Sequence, residues 1–222
     1  MLVLISLYIA FIAMGFVYYA IYNPAGLPHI SALSFFVFGI IAWRKALSLG
    51  WQNVRAKLIA FLGTGGFFIS FGFMLSGDIS TILFLTGYAF LIIGVILMLI
   101  NLLKMGYSLE MAEWLQVTII NAVVALFAIY MGYINGISPF GWIMTGISLL
   151  LIFIASIVLR IFWGSDLGIR WTIGVIAAIL LAIATVTMSS YNSTQEIVYL
   201  VIAHGFYTLS GMLMGLLYTL QD

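Results

Sequence analysis

The chain is a succession of long apolar stretches broken at seven points by short polar groups. The breaks fall at Tyr22-Asn23-Pro24, Arg44 to Lys57, Ser76-Gly77-Asp78, Lys104 to Glu113, Asn135 to Pro139, Arg160 to Arg170 and Ser189 to Glu196. They leave eight segments, at 2–22, 29–48, 56–75, 80–103, 113–134, 140–162, 170–188 and 197–219. Crossing a hydrocarbon core of about 30 Å takes about 20 mostly apolar residues in a helix, so each segment suffices for one crossing. The pattern predicts an all-α integral membrane protein, a bundle of eight transmembrane helices. It forms a single transmembrane domain over 1–222 with no extramembrane domain. The second segment is the weakest. Its unbroken apolar run, Ile30 to Trp43, reaches full length only if Arg44 and Lys45 snorkel toward the interface.

Composition supports the membrane reading and excludes others. Of 222 residues, 65% are hydrophobic and 6% charged, where about 25% charged is usual for a soluble domain. Seven Lys and Arg against six Asp and Glu give +1, which supplies no basic patch for nucleic acid. The partner is therefore the lipid bilayer. The absence of Cys from the sequence removes disulfides, thiolate metal sites and thiol catalysis.

Charge placement predicts the orientation. With eight crossings, one set of connections holds Arg44, Lys45, Arg55, Lys57, Lys104, Arg160 and Arg170, and the other holds none of the seven. The positive-inside rule makes the first set cytoplasmic, with both termini inside and Asp78 and Glu196 outside. The expected location is the plasma (cytoplasmic) membrane, as a multi-pass protein. Trp43, Trp51, Trp114, Trp163 and Trp171 fall at the inner boundary, while Tyr18, Tyr19, Tyr22, Tyr130, Tyr133 and Tyr191 fall at the outer one. The first segment lacks a basic start and a small-residue cleavage site, so it reads as a helix rather than a signal peptide.

The halves 1–108 and 109–222 echo one another at an offset of about 112 to 118 residues, the pattern of a tandem four-helix parallel repeat. Tyr22-Asn23-Pro24 matches Ile134-Asn135-Gly136, MLSGDIST at Met74 to Thr81 matches MSSYNST at Met188 to Thr194, and Gly87-Tyr88 matches Gly205-Phe206.

Ionisable groups within a span are functional candidates by default. All six carboxylates lie in or beside connections, so a carboxylate proton relay has nothing to run on. His204 is the one His inside a span, with Thr208, Gly211 and Gly215 following on its face. It is either a neutral interhelical hydrogen-bond partner, a permeation site or a haem ligand; a facing His is wanting, since His29 sits at the outer mouth. The expectation is no cofactor and no metal. Asn101, Gln116 and Asn121 are further pore or polar-site candidates on helices four and five, with interhelical amide bonds as the plainer reading. Glu110, Glu113, Lys104, Arg160, Asp166 and Arg170 read as a solvated inner rim. Gly65, Gly72, Gly211 and Gly215 read as helix-packing positions, and Gly174, Ala178 and Ala182 repeat the theme. Small residues on helix three can instead leave room for a solute path along Phe67, Phe68, Phe71 and Phe73. Asn192-Ser193-Thr194 is a glycosylation sequon in an outside loop. No nucleophile, metal set or acid/base pair points to an enzyme.

The opening Met1-Leu2-Val3-Leu4 with Leu7-Tyr8 and Gly15, then Phe35-Phe36-Val37-Phe38-Gly39, resembles the start of the AmiS/UreI family of amide and urea channels. Trp142 with the run to Phe153, and the helix from Trp171, resemble it more loosely. The resemblance implies oligomeric assembly and passive passage of small neutral amides. Against the family's six helices this chain has two more spans, the opposite N-terminal orientation and no acidic pore residue. The expected function is a passive channel or facilitator for a small neutral solute. The alternative is a cofactor-free accessory subunit of a larger complex, for instance a respiratory one. Either works as a homo-oligomer or with partner membrane subunits.

Overall fold

The computed structural model describes residues 2–163 and 169–219. They form eight helices: α1 (Leu2–Tyr22), α2 (Leu27–Leu49), α3 (Val54–Met74), α4 (Gly77–Lys104), α5 (Met111–Ile134), α6 (Pro139–Trp163), α7 (Ile169–Thr194) and α8 (Ile197–Thr219). A short 3-10 turn, Pro24–Gly26, leads into α2. By length and composition, α2 to α8 can each cross a membrane, and α1 runs for 21 residues. The protein is a polytopic membrane protein. Helix ends carry ordinary start and stop signals. The Asn53 side chain accepts from the Arg55 N–H at 2.9 Å, Glu110 and Glu113 form a capping box on α5, and Gly106 and Gly136 take the positive φ that follows α4 and α5.

α7 runs past the expected end at 188 to Thr194. A run of Ser, Thr and Asn looks like a loop, but here the hydroxyls of Ser189, Ser190 and Thr194 donate to the carbonyls of Thr185, Val186 and Ser190, four residues back. Each is satisfied inside the helix. The sequon at Asn192 therefore lies in the last turn of a helix, not in a loop.

Six helices close a ring in the order α2, α3, α4, α6, α7, α8 and back to α2. α1 packs outside it on α2 and α8, and α5 outside it on α6 and α7. Moving every helix number on by four turns the ring contacts into one another, so α2·α3 becomes α6·α7, α3·α4 becomes α7·α8, and α2·α8 becomes α6·α4. Only the placement of α5 departs from this. α4 docks on α6, while α5 packs on α6 and α7 outside the ring although its connection to α4 is short.

Glycines allow the close approaches. A Cβ on Gly65 would sit 3.0 Å from the Gly87 carbonyl oxygen, and one on Gly87 would sit 3.0 Å from that of Gly65. Gly39 and Gly63 repeat this arrangement between α2 and α3, at 3.0 and 3.1 Å. Gly211 faces Ser34 and Gly215 faces Ile41 across the α8–α2 contact, and Gly72 faces Phe84. Backbones this close gain dispersion and Cα–H···O contact, which is what drives helix association where lipid removes the hydrophobic effect. On α7, Ala178 and Ala182 pack with Val124 of α5 and Ile152 of α6, and Gly174 faces Leu159.

The expected solvated rim is different in part. Arg160 is buried, and its Nη2 lies 3.0 Å from Glu113 Oε1, with one-fifth of the Glu113 side chain exposed. Glu113 also accepts from the Glu110 N–H at 2.9 Å. The pair ties α5 to α6, because an Arg shielded from water by a neighbouring helix must find a counter-charge. Asp166 lies outside the described residues.

Candidate functional site

A cavity of about 320 Å³ opens inside the ring at the end where α2, α4, α6 and α8 begin and α3 and α7 finish. All six ring helices line it, three from each half of the chain. Its wall alternates aromatic and small polar side chains: Phe73, Phe84, Phe140, Tyr88 and Tyr207 against Ser80, Thr81, Ser138, Ser189 and Asn192. Among the described lining residues none is Asp, Glu, Lys or Arg. Ring contacts hold the aromatic side in place. Phe73 meets Phe84 edge-on at 4.7 Å, Tyr207 at 5.0 Å and His204 at 5.4 Å between centroids.

The floor is a knot of four buried hydroxyls centred on Thr185. Thr185 Oγ1 donates to the Leu181 carbonyl at 2.9 Å. It receives Ser148 Oγ at 3.1 Å and Tyr207 Oη at 3.4 Å, and Tyr88 Oη lies 2.8 Å away. Thr185 sits nine residues before the end of α7 and Tyr88 eleven after the start of α4, which places the knot roughly 15 Å from the helix ends, near mid-membrane. Three donors converge on an oxygen with two lone pairs, so the 3.4 Å bond from Tyr207 is the weakest. Below the knot the same six helices enclose a second, smaller void of about 90 Å³, lined by apolar groups such as Leu91, Val95, Leu151, Leu181 and Met214. The upper cavity is thus a vestibule that ends at mid-depth.

His204 forms part of the vestibule wall and is 1% exposed. Its Nδ1 lies 2.9 Å from Ser31 Oγ on α2, and Ser31 also reaches Thr208 Oγ1 at 3.2 Å and donates to the His204 carbonyl at 3.3 Å. Nε2 is buried with no protein partner. If Nδ1–H donates to Ser31, Ser31 can pass its own proton on to Thr208 or the carbonyl, and Nε2 is a bare acceptor. The opposite tautomer would bury an orphaned N–H, the less tolerated kind of unpaired group.

The structure places the sequence candidates as follows. His204 and Thr208 meet through Ser31, though Thr208 lies behind the wall rather than in it. Asn121 donates to the Val117 carbonyl and to Ser156 Oγ of α6, at 2.7 and 2.9 Å. Gln116 is exposed and Asn101 half-buried; none of the three amides lines the vestibule. Of the Phe residues on α3, only Phe73 lines it: Phe67 and Phe71 pack on Phe36, and Phe68 stacks on Phe90. Gly72 and Asn192 stand at its mouth. Ser31, Ser148, Thr185, Tyr88 and Tyr207 were not singled out by sequence. The available signal was polar groups at matching mid-span depth in α4, α7 and α8.

No family model, no curated protein and no solved structure matches the chain.

Proposed function

We propose that the protein is a passive facilitator for a small neutral solute, with eight spans, both termini cytoplasmic and the vestibule facing outward. The observation that carries this is a solute-sized, charge-free cavity reaching mid-membrane between two sets of three helices. A charge entering such a cavity would lose its hydration without gaining a counter-ion, whereas a neutral polar solute exchanges water for hydroxyls. The orientation follows from the cations, which lie at the end opposite the mouth. The matching neighbour pattern of the two halves supports a parallel repeat about an axis along the membrane normal, on which the cavity lies. The floor knot then acts as the closed inner gate. Opening needs the α2–α3–α4 set to move against α6–α7–α8, which breaks the Tyr88–Thr185 contact. The resemblance of the first two helices to amide and urea channels agrees in kind.

The test is stopped-flow osmotic swelling of vesicles carrying the purified protein, with a panel of small neutral solutes. Saturable flux that is indifferent to a pH gradient supports the proposal. A protein that purifies with stoichiometric membrane partners and gives no flux alone is an accessory subunit instead.

A further inference from the structure

The hydrogen-bond bookkeeping of the vestibule goes further than its neutrality. Several hydroxyl protons along its wall and floor are spent on the protein: Ser80 donates to the Gly72 carbonyl at 2.7 Å, Ser189 to that of Thr185 at 3.0 Å, and Thr185 to that of Leu181 at 2.9 Å. Tyr207 donates to Thr185, and so does Tyr88, because the one Thr185 proton is already used. What these groups still offer is lone pairs. His204, a lining residue, keeps a further unpaired acceptor at Nε2, buried in the wall, in the tautomer that leaves no orphaned N–H. The aromatic faces beside them are also electron-rich.

We propose that the vestibule is a binding site selective for uncharged solutes carrying two or more O–H or N–H donors on a compact apolar body. His204 Nε2 and the Tyr88 and Tyr207 oxygens accept those donors, and Phe73 and Phe84 hold the body. The inference rests on reading the vestibule as a solute site. It disfavours acceptor-only molecules of the same shape, which would face lone pairs with lone pairs at the inner end, the donors of Thr81, Ser138 and Asn192 standing at the mouth. Permanent cations would find aromatic faces there but no carboxylate to offset their lost hydration, and so bind less tightly than a paired donor.

The experiment compares resorcinol with 1,3-dimethoxybenzene, the same ring with its donors capped, and with tetramethylammonium. Binding to the full chain in detergent is read by ligand-observed NMR against protein-free micelles. Resorcinol is expected to bind about tenfold more tightly than the ether. Tyr207→Phe is expected to weaken resorcinol about fivefold, the worth of one hydrogen bond, and to leave the ether unchanged. His204→Leu acts in the same direction, and the milder Tyr207→Phe decides if that variant does not fold. Equal affinity for resorcinol and its ether, tighter binding of tetramethylammonium, or no binding of resorcinol overturns the proposal. Donor-selective binding without vesicle flux removes the facilitator reading alone; flux without donor selectivity removes this one alone.

Discussion

Thr185→Val tests whether the hydroxyl knot holds the two halves of the bundle together. Valine has the shape of threonine, so packing is kept while the hub oxygen is lost. Three donors lose their acceptor: Tyr88, Tyr207 and Ser148. If each stayed unpaired at about 1–3 kcal/mol, the loss would reach roughly 3–9 kcal/mol. That sum is too large, because Tyr88 and Tyr207 line the vestibule and can turn to water. Ser148, 1% exposed and outside the lining, cannot reach water, but it can bond the carbonyl four residues back. Interhelical hydrogen bonds inside membranes average about 0.6 and reach about 1.7 kcal/mol. The expected cost is therefore about 1–2 kcal/mol, read as the midpoint shift of reversible unfolding in mixed SDS micelles. Thr185→Ser, which restores the oxygen, should recover most of it. A Val variant as stable as the parent would show that the knot joins nothing. A loss above about 4 kcal/mol would show that water does not reach the knot, and so that the vestibule is closed.

Four further outcomes follow from the packing and the topology. Gly65→Val or Gly87→Val forces apart two backbones in contact and should cost several kcal/mol in the same unfolding assay, by overpacking. Gly146→Ala, where an added Cβ meets nothing within 4 Å, should instead be neutral or stabilising by about 0.5–1 kcal/mol. Glu113→Gln removes the ion pair to Arg160; a fully buried pair broken this way costs about 3–5 kcal/mol, and the partial exposure of Glu113 brings the expected loss down to about 1–2 kcal/mol. Because the sequence has no Cys, single cysteines report sidedness cleanly: Ser193→Cys should react with an impermeant maleimide from outside intact cells, and Met105→Cys only after permeabilisation. The reverse pattern would overturn the proposed orientation.

The spans were legible because charge and turn residues interrupt apolar runs wherever the chain leaves the bilayer. Burial within the bundle was not. The second segment reads as the least convincing span, yet α2 packs on α3, α8 and α1, and its Ser31, Ser34 and Gly39 are buried. Its lower hydropathy reflects contact with other helices rather than weak insertion, since a helix facing protein can carry small polar residues that a lipid-facing one cannot. The same ambiguity hid the facing of Asn101, Gln116 and Asn121: depth follows from counting residues, but rotation about the axis follows from the neighbours.

The site divides along the same line. His204 was legible as the one His within a span, whereas its partner Ser31 lies 173 residues away and no local pattern joins them. The Phe residues of α3 show how much one face matters. Gly66, Ser70 and Phe73, at i, i+4 and i+7, all turn toward α2, through Phe38, the Ala32 carbonyl and Phe35 respectively. Phe67 and Phe71 also meet α2, through the exposed Phe36, but one position further round the helix, and so miss the cavity. Thr185 is the least readable, because a Thr that donates to the carbonyl four residues back looks like any other hydroxyl accommodated in an apolar helix. Its role comes from the three donors that other helices bring to its lone pairs. A function seated in such a knot leaves no motif. It belongs to the closure of the ring, in which helices from the two halves bring Tyr88, Ser148, Thr185 and Tyr207 together at one depth.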